Sequence, residues 1–264
     1  MNVNLLNPCR IIPRGSVHIS SSKASSSLPS YEKKRIELHG GDGSKWNVYD
    51  LTGCAKKDSD TIWNIVSQLI PQVLDLKNYD KDSLIANFMP KWFQLEPSID
   101  NSRNVAKWFH LKSTINERQC RFYKFPDEKA LSLSDSEIIK KFGRFWTYYG
   151  HRVITPIVRQ QFDDIEFLAI ALLLFFDNGY TNITEKCAEM CREIRKVILR
   201  ELRAYQRDIS SDDDDGDKRF LRTVEVPLIV EKGVQIFEEE VLVCEMHHVK
   251  IHEDFSEVIR RHNL

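Results

Sequence analysis

At 264 residues, with 38 basic and 39 acidic side chains, the chain is nearly electroneutral and offers no basic footprint for nucleic acid. Its 42% hydrophobic and 29% charged residues are ordinary globular composition, enough for one large core. Ten glycines, nine prolines and few stretches of period two favour an all-α fold over a sandwich or a doubly wound sheet.

Residues 1–45 stand apart. Serines at 20–22 and 25–27 lie in a stretch with almost no acid before Glu32, and Lys33-Lys34-Arg35 follows. Too little apolar surface is present to fold. A flexible hinge is the plainest account, and a transit-type leader or a basic nuclear signal also fits. The folded domain is placed at 46–264.

From Asp60 the helical signal is nearly continuous, with Ile62, Ile65, Val66, Leu69, Ile70 and Val73 on one stripe. Pro71 lacks an amide donor and clashes with the Ser67 carbonyl, which predicts a kink. The next helix is predicted over 81–96, carrying Leu84, Ile85, Phe88, Trp92, Phe93 and Leu95, with Pro97 at its end. Residues 103–133 are weakly patterned, with aromatic pairs at Trp108-Phe109 and Phe122-Tyr123. A long helix over 138–161 follows, bearing Phe142, Phe145, Trp146 and Tyr149 and bent at Pro156.

Asp163 or Asp164 is placed to cap the helix after it, and Gly179 suits the break beyond. Residues 167–176 are uninterruptedly apolar, about half a bilayer span, and predict a buried core helix. Asn182, with Glu185 three residues on, fits a capping box for what reads as the longest helix. It is about 25 residues and nearly 40 Å long, with Cys187, Met190, Cys191, Ile194, Ile198, Leu202 and Tyr205 on one stripe. The acidic run at 212–215 is read as a solvated loop, since it lacks the alternating ligands and closing glutamate of a calcium site. A last long helix is predicted over 219–246, with Phe237, Val241 and Cys244 on its stripe and Pro227 near its start.

None of the six cysteines, Cys9, Cys54, Cys120, Cys187, Cys191 and Cys244, makes a Cys-x-x-Cys pair. Burial as small apolar groups in a reducing compartment accounts for them. His248 and His252 are four apart but lack the Glu of a zinc-protease helix, and read as polar residues at a helix end. No serine elbow, phosphate-cradling loop or dinucleotide fingerprint is present, so neither an enzyme nor a cofactor is indicated.

Several of these segments together resemble the ligand-binding domain of nuclear hormone receptors, of the type expanded in nematodes. In that family an apolar helix carries a proline in its last turns, and an acid-amide pair and a Leu-Leu doublet open the next helix. Pro71, Asp80-Lys81 and Leu84-Ile85 stand at those places. Residues 175–184, the arginines at 192, 195 and 200, residues 239–244 and Lys250-Ile251-His252 add to the likeness, which covers about residues 60–262. Residues 254–259 are similar to the activation helix, with Asp254 where an apolar residue is usual.

The resemblance implies a three-layer antiparallel helical sandwich, all-α, with 167–176 in the middle layer. It implies an apolar small molecule held among Ile62, Leu69, Trp92, Phe93, Phe237 and Val241. It implies a groove for a coregulator helix built from Gln68, Val73, Lys81, Leu84, Ile85, Phe255, Glu257, Val258 and Ile259. A cation is usual in place of Gln68, and a basic residue is common where Ala86 stands. A homo- or heterodimer through 219–246 and a nuclear location also follow. The eight paired cysteines of the family's zinc module are missing from this sequence, so DNA binding by this chain is not implied, nor is a membrane. A constitutive helical module that dimerises with or titrates other receptors is the alternative.

Overall fold

The computed structural model describes residues 33, 46–103, 105, 115–124 and 133–260. The Ser-rich segment (Lys33 apart) and the Trp108-Phe109 pair lie outside the described residues. Within them run α1 (Val48–Gly53), α2 (Ala55–Leu69), a 3-10 turn (Pro71–Asp75), α3 (Asn78–Arg103) and α4 (Ile115–Phe122). After these come α5 (Asp135–Tyr148), a π-helical turn (Tyr149–Ile154), α6 (Thr155–Val158) and α7 (Asp164–Phe175). The chain continues through α8 (Glu185–Ile209), α9 (Asp213–Met246) and α10 (Glu253–Arg260), and no strand occurs among the described residues.

Every residue of α7 from Glu166 onward is buried, and a helix apolar all round has to be covered on all sides. α3 packs beside it as the rest of the middle layer, and α8 and α9 cover it from beyond. α2 and α10 lie on α3 and close the opposite layer. Asp163 caps α7 by accepting from the amides of Ile165 and Glu166, both at 2.9 Å, while Glu166 accepts from the Asp163 amide at 2.9 Å. Glu166 is itself fully buried, and a carboxylate there needs partners. Arg219 of α9 grips both its oxygens at 2.5 and 2.6 Å, and the Gln206 amide of α8 adds a third bond at 2.6 Å. One acid therefore ties three helices together.

Five expectations from the sequence are corrected. α2 stops at Leu69, and Pro71 opens the 3-10 turn, where its missing donor is harmless, so the chain breaks there instead of kinking. α3 does not end at Pro97; it runs 26 residues to Arg103 with Pro90 and Pro97 inside. Pro97 cannot donate to the Phe93 carbonyl, and the Tyr149 hydroxyl donates to it instead at 3.0 Å, and to the Gln94 carbonyl at 3.1 Å. Tyr149 begins the π-helical turn, so the helix after α5 is interrupted before Pro156, with Thr155 donating to the Gly150 carbonyl at 2.6 Å.

The cap of α8 is Thr184 and not Asn182. Its hydroxyl accepts from the Cys187 amide at 3.3 Å, and Asp80 of α3 accepts from its amide and hydroxyl at 2.7 and 2.8 Å. Asn182 instead accepts from the Asn87 side chain at 2.7 Å. Finally, the acidic run is no loop. Asp212 caps the Asp215 amide at 2.8 Å, and three aspartates fill the first turn of α9, where the helix dipole favours negative charge. α9 is thus 34 residues long against 25 for α8, and Pro227 falls in its interior.

Candidate functional site

Three aromatic rings meet where α3, α9 and α10 converge. Phe255 of α10, only 2% exposed, lies edge-on to Phe93 with centroids 5.4 Å apart and to Phe237 at 5.6 Å. Phe93 and Phe237 are 6.4 Å from each other, so the three rings form a near-equilateral triangle and Phe255 wedges its edge against both at once. Edge-to-face pairs at these spacings add to the gain from burial. Val241, one turn beyond Phe237, and Val258 on α10 pack on the same core, as do the buried Ile62 and Leu69 of α2.

Trp92 belongs to the same buried core. It lies against Phe88 at 5.8 Å, which in turn meets Phe175 of α7 at 5.2 Å.

The residues expected to form a groove span α2, the 3-10 turn, α3 and α10. Gln68 and Glu257 are exposed, Ile85 and Val258 are half-buried, and Val73 and Leu84 are fully buried. The Ile259 side chain lies outside the described residues. Lys81 places its ammonium 4.8 Å from the centroid of the Trp63 ring, a cation–π contact on α2. Leu74 of the 3-10 turn and Tyr79 in the first turn of α3, which sequence periodicity did not single out, are exposed apolar groups.

Other features had no signal in the sequence. His252, read there as an exposed residue at a helix end, is partly buried and caps α10, its Nδ1 accepting from the Asp254 amide at 3.1 Å. Gln94 is buried with its amide oxygen unpartnered, and an added Cβ on Gly233 would come within 3.0 Å of that oxygen. One turn from Phe237, Glu240 accepts from the Tyr123 hydroxyl of α4's C-terminal end, which itself accepts from the Trp146 indole at 3.0 Å. Burial pushes the Glu240 carboxyl up to about 7, against the Tyr123 bond that lowers it. Among the described residues no cluster of His, Cys, Asp and Glu could hold a metal ion, and no helix is long and apolar enough to cross a membrane.

The sequence profile described as the ligand-binding domain of nuclear hormone receptor matches residues 43–247. The chain belongs to that family. Nuclear hormone receptor family member nhr-150 of Caenorhabditis elegans is 36% identical over 261 residues, covering 97% of this chain and 72% of the relative. Two further relatives from the same organism are more distant. Member nhr-28 is 29% identical over 132 residues, which are 50% of this chain and 30% of the relative. Member nhr-108 is 24% identical over 192 residues, which are 63% and 55%. Nuclear receptors regulate transcription and are not enzymes, and that role is the one the family supports here. In this ligand-binding domain α10 lies beyond the matched span.

Proposed function

We propose that this domain regulates transcription in the nucleus by presenting a groove for a coregulator helix, with α10 as the reporting element. The observation that supports the reading is the packing of Phe255 on Phe93 and Phe237, with α10 against α2 and α3, the helices that carry Gln68 and Ile85. A Leu-rich partner helix would lie against Ile85, Val258 and the exposed Leu74, with Val73 and Leu84 as support beneath. Glu257 would accept from the partner's free amides, as the helix dipole favours. Gln68 would hold its last carbonyls by a neutral bond where the family's cation would make a charge-assisted one. The deficit is about 1 kcal/mol, or roughly fivefold in affinity. Ile62, Leu69, Trp92, Phe93, Phe237 and Val241 are the residues proposed to meet a small apolar molecule.

Titration of a labelled Leu-x-x-Leu-Leu peptide tests the groove. Gln68→Lys is expected to bind about fivefold more tightly than the wild type, and Glu257→Lys to lose binding. Equal affinity for all three proteins would remove this surface from the account. A constitutive interaction module is the second reading, and one observation favours it: Phe93, Phe237 and Phe255 already pack on one another. Native mass spectrometry after exposure to a lipid extract separates the two, bound lipid supporting a ligand-responsive domain and reproducible emptiness the constitutive one.

A further inference from the structure

We propose that α1 is a latch for α10: Tyr49, Thr52 and Gly53 grip His252 and hold the C-terminal helix docked by side chains of this chain alone. The proposal rests on α10 being the reporting element. A helix of eight residues is marginal by itself in water and persists only where it is docked, and two of the contacts that dock α10 lie at its N-terminal turn. Phe255 supplies one anchor, and His252, immediately before α10, supplies the other.

His252 is fixed in three ways. Its amide donates to the Thr52 hydroxyl oxygen at 3.0 Å, and that hydroxyl, 2% exposed, directs its own proton to the Val48 carbonyl at 2.7 Å. Thr52 is therefore oriented as an acceptor. The imidazole lies 4.8 Å from the Tyr49 ring, tilted by 50°, and its Nδ1 caps the first turn of α10 through the Asp254 amide. The Asp254 carboxylate comes within 3.8 Å of the same nitrogen. On its remaining edge the ring approaches Gly53 so closely that a Cβ there would stand 3.0 Å from Cδ2.

Gly53 is helical, where glycine is less favourable than alanine by roughly 0.5–1 kcal/mol. A side chain at that residue would press on the His252 ring, which would have to give by a few tenths of an ångström. Docking is then the resting state of α10. An apolar molecule reaching Phe93 and Phe237 at this point competes with Phe255 instead of completing its seat.

Hydrogen–deuterium exchange on the full chain, with no small molecule or peptide added, reads the latch directly. In the wild type the amides of α10 are expected to be protected. Gly53→Ala should speed their exchange roughly tenfold while leaving α7 unchanged, a local opening. Tyr49→Ala, which leaves the α1 backbone untouched, should act in the same direction. His252→Ser keeps a capping acceptor but removes the ring, and in that background Gly53→Ala should have no further effect, the signature of a coupled pair. Two results would overturn the proposal. One is an α10 that exchanges like free peptide in the wild type. The other is a Gly53→Ala protein whose exchange is unchanged or slowed throughout, as helix propensity alone would give. Because no peptide is present, the latch can stand while the coregulator reading fails, and the reverse.

Discussion

Glu240 holds an acid within a largely apolar contact between α9 and the α4–α5 pair, bonded by Tyr123. Its carboxyl is raised from 4.5 to about 7 by burial. A carboxyl raised on folding binds its proton more tightly in the native state, so its contribution is fully present below the ordinary value and fades as pH rises through about 7. Glu240→Gln keeps an acceptor for Tyr123 and removes the charge. It is expected to match the wild type in stability near pH 5 and to exceed it near pH 8 by roughly 1–2 kcal/mol after allowing for solvent screening. Urea denaturation at the two pH values checks this, and an equal gap at both would remove Glu240 from the account. Nothing in the sequence marks Glu240 out from Glu238 and Glu239, since its partners lie on elements more than 90 residues away.

At the level of elements, the helices were legible where a single stripe or an uninterrupted run forced them. The apolar run of α7 and the stripe of α8 both follow from local pattern. What local pattern could not supply was repair from a distance. Pro97 reads as a terminator because the donor that compensates it, Tyr149, is 56 residues from Phe93 along the chain. The same holds for Thr184, whose cap is braced by Asp80 across 104 residues. Removing the repair should uncover the proline's cost. Tyr149→Phe is expected to destabilise the domain by about 1–3 kcal/mol, the cost of an unpaired buried carbonyl. In a Pro97→Ala background the loss should shrink, since alanine restores the helical donor. Thermal melts of the four proteins decide it, and additive losses would mean that Tyr149 does not substitute for the missing amide.

For the whole molecule, the family resemblance reached the architecture and the face on which α10 lies. The contact of Trp92 with Phe88 escaped it, because a pocket inferred by likeness does not fix which way each ring turns. Along α9, Leu221, Leu228, Leu242 and Met246 are all exposed and fall within about 60° of one another around the axis. This apolar stripe supports the proposed dimer surface. Leu228→Asp is expected to leave a folded monomer, and sedimentation at micromolar concentration showing the wild type already monomeric would refute the interface. Docking of α10, however, depends most on Phe255. The most direct test is the affinity of a labelled Leu-x-x-Leu-Leu peptide for the wild type and Phe255→Ala, with far-ultraviolet circular dichroism confirming that both are helical. Loss of the wedge is expected to free α10 and weaken peptide binding at least about tenfold. Equal affinity in two equally helical proteins would contradict the claim that docked α10 builds the partner-binding surface.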